Sequence, residues 1–238
     1  MHEILADFHY GVRFVGGIVW GPPFLILLIG TGVFLTVYLH FVQVRRFKHS
    51  IEIIGGKYDD PRDKGDLTHF QALSAALSAT IGIGNIAGVA TAIHYGGPGA
   101  LFWMWLVAFF GMATKGVECY LGHRFRVIHP DGSASGGPMY FIANGMGPRW
   151  KWLAVTFAFL AAFASLGSSN MVQSNTVSQI LAKDLSLPPV VTGILLSIFI
   201  GVVIIGGIRR IGHVAAKLVP TMCVAYLAGG LAIILMSA

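Results

Sequence analysis

Between Asp66 and Lys115 the chain carries no ionised residue, and this stretch is long enough to cross a lipid bilayer. Its middle is a poor helix, because Gly82 and Gly84 each cost about 1 kcal/mol relative to alanine in a helix interior, and Asn85 adds a full amide beside them. Non-helical backbone at membrane depth is tolerated only where it is buried in protein or lines a cavity. Since such a break exposes N–H and C=O groups together, we predict a substrate and ion site at the bilayer midplane.

The composition indicates a polytopic, all-α membrane protein. The 238 residues are 55% hydrophobic and only 11% charged, against about 25% charged residues in soluble proteins. The formal charge of +6 does not indicate nucleic-acid binding, because the basic residues fall in short loops between apolar runs. Cys119 and Cys223 lie within apolar runs and are interpreted as small core residues.

The hydropathy pattern predicts six transmembrane helices, the second of them broken, after an interfacial leader at 1–17. The predicted spans are residues 18–42, 67–94, 100–122, 152–181, 190–208 and 218–238. Polar loops are predicted at 45–66 and 123–151, with a basic loop at 209–217. Because the chain ends with its sixth span and has no polar tail, we expect a fragment.

The basic residues predict the orientation. Thirteen of them fall in the three loops on one side of the predicted bundle, whereas only Arg13 and Lys183 fall on the other. By the positive-inside rule the first side is cytoplasmic, which places the N-terminus outside. The broken span therefore runs from the cytoplasm to the exterior.

Two other interpretations of the glycine-rich break were weighed. Gly84 and Gly88 form a GxxxG pattern that permits close helix packing, but packing does not account for the polar Thr80 and Asn85 on either side of the glycines. The spacing of Gly82, Gly84 and Ala87 superficially fits a dinucleotide fingerprint, which requires a preceding strand and an acidic residue about twenty positions on. The positions near residue 105 are apolar, so a nucleotide-dependent enzyme is disfavoured.

Two further polar features lie inside predicted spans. Asn170 and Gln173 share one face of the fourth span, and either interhelical hydrogen bonding or a polar cavity wall explains them; we favour the wall, with Gln173 as the substrate contact. Lys115 and Glu118 are spaced i, i+3 in the third span, where a structural ion pair is favoured over a gating role. His94, His123 and His129 lack the spacing of metal ligands.

With these residues described, the chain resembles the sodium:alanine (alanine/glycine:cation) symporter family. The resemblance rests on ATIGIGNIAGVATAI at 79–93, GGPGA at 96–100, GMATK at 111–115 with Glu118, GGPMY at 136–140 and NMVQ at 170–173. It implies a leucine-transporter-type fold of inverted repeats, with one extra helix at 18–42 and the first five-helix repeat at 67–238. Family members are about twice this length, so the resemblance implies that the C-terminal half, with the second repeat, is missing.

The resemblance also implies residue roles. The N–H groups at Gly82 and Gly84 would bind the substrate carboxylate, with Gln173 and Asn170 lining the cavity. Oxygens of Thr80 and Asn85 would contact the substrate and one Na⁺, and the carbonyls of Ser78 and Ile81 would face a second Na⁺. Both ion sites would need further ligands from the missing half.

The function expected from this resemblance is Na⁺-coupled symport of alanine or glycine across the plasma (inner) membrane by alternating access. It needs no covalent chemistry and no cofactor other than Na⁺ as the coupling ion. Two alternatives remain open: a passive channel lined by the break, and a scaffold or half-transporter that needs a partner.

Overall fold

The computed structural model describes residues 2–59, 65–167 and 169–237. They are almost entirely helical, apart from one small antiparallel hairpin. The helices are α1 His2–Val19, α2 Pro22–Tyr38, α3 Val42–Arg45, α4 Phe47–Ile54, α5 His69–Thr80, α6 Ile83–Gly96, α7 Gly99–Arg124, α8 Pro138–Gly145, α9 Lys151–Gly167, α10 Ser169–Leu185, α11 Pro189–Ile204 and α12 Gly207–Ser237. The hairpin strands are β1 Val127–Ile128 and β2 Ala134–Ser135.

Membrane-length apolar stretches confirm the polytopic class. Four helical stretches among the described residues could each cross a membrane, or five if α5 and α6 together form one bent span: Tyr10–Tyr38, Gly99–Arg124, Pro148–Leu185 and Gly207–Met236. The apolar helix α11 has 16 residues, or about 24 Å at 1.5 Å per residue, and is shorter than the roughly 30 Å hydrocarbon core. The number of spans therefore remains a prediction.

The first span differs from its predicted limits. The leader is helical as α1, and the apolar stretch begins at Tyr10. The helix ends at Tyr38 and not at residue 42, because His40 and Phe41 adopt φ of 52° and 54° and turn the chain. Pro22 and Pro23 occupy the first turn of α2, where the missing N–H groups would have no helical partner.

The predicted loops contain more structure than hydropathy alone indicates. The loop at 45–66 contains α4, while its residues 60–64 lie outside the described part of the chain. The loop at 123–151 contains the hairpin and α8, and in the hairpin turn the Ser133 hydroxyl and N–H donate to Asp131 and lower the pKa of that carboxyl. The prediction of a basic loop at 209–217 was wrong, because those residues form the first turns of α12.

Small residues line the helix contacts. Gly32 of α2 lies so close to Phe110 of α7 that an added β-carbon would be 3.0 Å from the Phe110 β-carbon. At the contact of α5 with α12, an added β-carbon on Gly212 would overlap Leu67, and Ser74 is fully buried. Most large apolar side chains point outward instead. Small residues between helices with large apolar residues outside are typical of membrane bundles.

The two halves of the bent span pack against different helices. Helix α5 lies mainly against α12, whereas α6 lies against α7 and α10. A capping box starts α5: Thr68 Oγ1 accepts the Gln71 N–H at 3.3 Å, and the Gln71 side chain accepts the Thr68 N–H at 3.1 Å. Asp66, two residues before the capping Thr68, accepts from Arg209 Nε at 3.2 Å and from the Ala134 N–H at 3.4 Å. These contacts connect the start of α5 to α12 and to the hairpin.

Candidate functional site

The predicted break is confirmed at Ile81 and Gly82. Helix α5 ends at Thr80, and α6 begins at Ile83, bent by 48° from α5. Gly82 has extended backbone angles, φ −111° and ψ 158°, and no side chain caps the start of α6. The chain is therefore non-helical at the position where the glycines predicted it.

The break leaves both kinds of backbone group unpaired. Among the described residues, the N–H groups of Gly82, Ile83 and Gly84 make no hydrogen bond, nor do the carbonyls of Ser78 and Ile81. The N–H groups lie at the positive end of α6, which favours an anion, and the carbonyls lie at the negative end of α5, which favours a cation. The break therefore places a partial positive charge and a partial negative charge next to one another.

Asn85 has a structural contact that sequence reasoning did not identify. Its Nδ2 donates to the Thr80 carbonyl at 2.5 Å and to the Ala79 carbonyl at 3.2 Å. Asn85 therefore caps the end of α5 from the first turn of α6 and holds the two halves at their angle. Its Oδ1 accepts no hydrogen bond from the described residues, so that oxygen is available to a ligand.

The hydroxyls of Ser78 and Thr80 bond back to their own helix. Ser78 Oγ donates to the Ala75 carbonyl at 2.6 Å, and Thr80 Oγ1 donates to the Ala76 carbonyl at 3.1 Å. Because each hydroxyl proton is already engaged, the oxygen lone pairs are left as acceptors. Oxygen acceptors of this kind suit a hard cation.

Gln173 of α10 lies directly over the break. A β-carbon added to Gly82 would lie 2.9 Å from Gln173 Nε2 and 3.2 Å from its Oε1, so glycine is what permits this approach. The Gln173 amide has no hydrogen-bond partner within the described residues and is only partly exposed. A β-carbon on Gly84 would make an ordinary contact, 3.9 Å from Val172 Cγ1.

The structure thus brings most of the predicted site residues to one place. Ser78, Thr80, Ile81, Gly82, Gly84 and Asn85 lie within one turn of the break, and Gln173 covers it from α10. Asn170 belongs to α10 by its backbone, but its side chain lies outside the described residues.

The predicted ion pair of α7 is present, with Lys115 Nζ 3.0 Å from Glu118 Oε2. Both side chains are open to the surroundings, at 67% and 43% of their full exposure.

Comparison with known proteins identifies the family. The profile of the sodium:alanine symporter family matches residues 6–238. The chain belongs to this family. The membrane-length apolar helices agree with a family of membrane transporters, and the family implies sodium as the coupling ion.

Individual relatives agree with this assignment. The sodium/alanine symporter AgcS of Methanococcus maripaludis is 48% identical over 233 residues, which cover 97% of this chain and 51% of that protein. A Bacillus subtilis protein whose name proposes a sodium/proton-dependent alanine carrier, YrbD, is 40% identical over 98% of this chain and 46% of its own length. The amino-acid carrier protein AlsT of Bacillus subtilis is 36% identical over 88% of this chain and 43% of its own length. The chain spans about half the length of the curated relatives it matches.

Proposed function

We propose that this chain contributes the first half of the substrate and ion site of a Na⁺-coupled symporter for alanine or glycine. The observation that carries the proposal is the break at Ile81 and Gly82, where unpaired carbonyls and N–H groups lie beneath the Gln173 amide. A zwitterionic amino acid and a cation are the ligands that such a pair of helix ends can hold together.

In this proposal the N–H groups of Gly82 to Gly84 bind the substrate carboxylate, and Gln173 donates to it or accepts from its ammonium group. The carbonyls of Ser78 and Ile81 face one Na⁺, and oxygens of Thr80 and Asn85 face the substrate and another. Asn170 adds to the polar wall on α10. Remaining ligands would come from the second half that the family resemblance implies.

Coupling follows if Na⁺ and the amino acid both stabilise the same minor conformation, so that the transition between outward-facing and inward-facing states occurs mainly with both bound. The proposed location is the plasma (inner) membrane, with the N-terminus outside and the break entered from the cytoplasmic end of α5. The Na⁺ gradient would then drive the amino acid inward.

The test is uptake of labelled alanine by proteoliposomes that contain the protein, prepared as residues 1–238 and as the complete product of its gene. With the membrane potential held at zero, a tenfold Na⁺ gradient is worth about 1.4 kcal/mol. We expect it to drive about tenfold accumulation of alanine for each coupled Na⁺. Uptake that equilibrates without responding to the gradient would establish a passive channel instead.

Matched variants on α10 connect this activity to the site. Gln173→Ala should lower uptake strongly, whereas Gln179→Ala, an exposed residue of the same type on another face of α10, should leave uptake unchanged. If only the complete gene product transports and residues 1–238 insert stably but are silent, the half-transporter interpretation holds. Equal losses in both variants would remove Gln173 from the site.

A further inference from the structure

A sharp turn leads the chain out of the first span into two short helices. After α2 ends at Tyr38, His40 and Phe41 take left-handed backbone angles, which are uncommon for residues other than glycine. The Phe41 N–H donates to the Thr36 carbonyl at 2.8 Å and fixes this turn. Helices α3 and α4 therefore begin directly at the end of a membrane span.

The one acidic residue of α4 is paired within its own segment of the chain. Glu52 accepts from Lys57 Nζ at 3.2 Å and from the Tyr58 hydroxyl at 3.3 Å, and it lies 3.9 Å from His49 Nδ1. Its side chain is 29% exposed. The acidic residue of α4 is thus already engaged by the turn that follows the helix.

The same segment carries an apolar row that is largely exposed in the described part of the structure. The row consists of Phe41, Val44, Phe47 and Ile51, spaced three or four residues apart, with 48%, 62%, 65% and 55% of their surface exposed. In an aqueous setting an amphipathic helix buries its apolar side and exposes its polar side. Helix α4 packs Ile53 and Ile54 partly against the protein but leaves the row exposed, which suits apolar surroundings on that side.

Three cations flank the apolar row. Arg45, Arg46 and Lys48 are exposed and form no ion pair with any described residue. They belong to the side of the protein for which the positive-inside rule predicts a cytoplasmic location. Basic residues beside an apolar face at the end of a span are the arrangement that binds anionic lipid at a membrane surface.

We propose that α3 and α4 form an interfacial anchor, with the apolar row among the lipid acyl chains and Arg45, Arg46 and Lys48 on the headgroup of an anionic phospholipid. The occupant is lipid and not a protein, because the row continues directly from a membrane span and its cations have no acidic partner among the described residues. This proposal does not depend on the transport activity.

The test places a fluorescent reporter in the row. Phe47→Trp protein is reconstituted in bilayers of brominated phosphatidylglycerol or brominated phosphatidylcholine, and the signal of the five native tryptophans, measured without the substitution, is subtracted. We expect strong quenching by both acyl-brominated lipids. In mixtures, phosphatidylglycerol should be preferred near the reporter.

Two doubly neutralised variants separate local from general charge effects. Arg45→Gln with Lys48→Gln should reduce the preference for phosphatidylglycerol about tenfold, since each cation near an anionic surface attracts it several-fold. Arg149→Gln with Lys151→Gln, the same change at another exposed site, should leave it intact. Raising the salt concentration should weaken the preference in the unmodified protein.

Each remaining outcome overturns the proposal. An unquenched reporter would mean that protein, from a second half or a second copy, covers the row. Quenching with no preference between the two lipids would remove the role of the cations. An equal loss of preference in both double variants would show a general charge effect and no local headgroup site.

Discussion

Replacing Gly82 with alanine tests the close approach of α10 to the break. The backbone angles of Gly82 are ordinary for alanine, so the substitution introduces no backbone strain. The new β-carbon would lie 2.9 Å from Gln173 Nε2, which is shorter than a real contact of this kind. Because the amide is the flexible end of its side chain, we expect Gln173 to move while the helices stay in place.

Gly82→Ala should affect transport much more than it affects stability. Forcing Gln173 off its rotamer costs about 0.5–1.5 kcal/mol, and replacing glycine in a permitted conformation returns about 0.4–1 kcal/mol. The free energy of unfolding should therefore change by less than about 1 kcal/mol. A hydrogen bond to a charged substrate is worth about 1.5–3 kcal/mol, so losing it should lower kcat/KM for alanine about tenfold to a hundredfold.

The assay is a double-mutant cycle of initial uptake rates with Gly82→Ala, Gln173→Ala and the combined variant. If Gly82→Ala acts by displacing Gln173, it should have little further effect once Gln173 is alanine. Gly88→Ala is the control, because a β-carbon there meets nothing within 4 Å. Additive losses in the cycle, or a normal rate for Gly82→Ala, would refute the inferred contact.

Three other substitutions probe the surroundings of the site. Asn85→Ala removes the amide that caps α5, and we expect unfolding to become easier by about 1 kcal/mol and half-maximal uptake to need more Na⁺; a Na⁺ titration with an unchanged midpoint would exclude Asn85 from the ion site. Asp66→Asn weakens the ion pair with Arg209 at the start of α12, and the free energy of unfolding should fall by only about 1 kcal/mol, because the Arg209 side chain is 73% exposed. An unchanged melting temperature would mean that this ion pair does not stabilise the protein. Lys115→Met leaves the Glu118 carboxylate unpaired inside a membrane span, so the yield of folded protein should fall. The yield should recover when Glu118→Gln is added. If it does not recover, the lysine stabilises the protein independently of Glu118.

Local features of the sequence predicted the break well. Glycines at 82 and 84 disfavour a helix whatever surrounds them, and the chain leaves the helical conformation there. The i, i+3 spacing of Lys115 and Glu118 likewise sufficed to predict their ion pair. Such features depend on residues near one another in the chain, so the sequence alone specifies them.

Features that depend on packing could not be predicted in the same way. The polar face of the fourth span and the family resemblance placed Gln173 at the site, but neither indicates that its amide lies against Gly82, because that contact depends on how α10 packs on α6. The start of α12 was missed for another reason: arginine and lysine lower hydropathy but form helices readily, so a basic segment was mistaken for a loop.

The different packing partners of α5 and α6 have a mechanical consequence. Helix α5 packs on α12, whereas α6 packs on α7 and α10. A displacement of α12 relative to α7 and α10 would therefore change the angle or the distance between α5 and α6 at Gly82. A ligand that bridges the two helix ends resists that displacement, and its binding energy selects one arrangement of the surrounding bundle. Ligand binding at the site and the arrangement of the helices are therefore coupled through the extended backbone of Gly82.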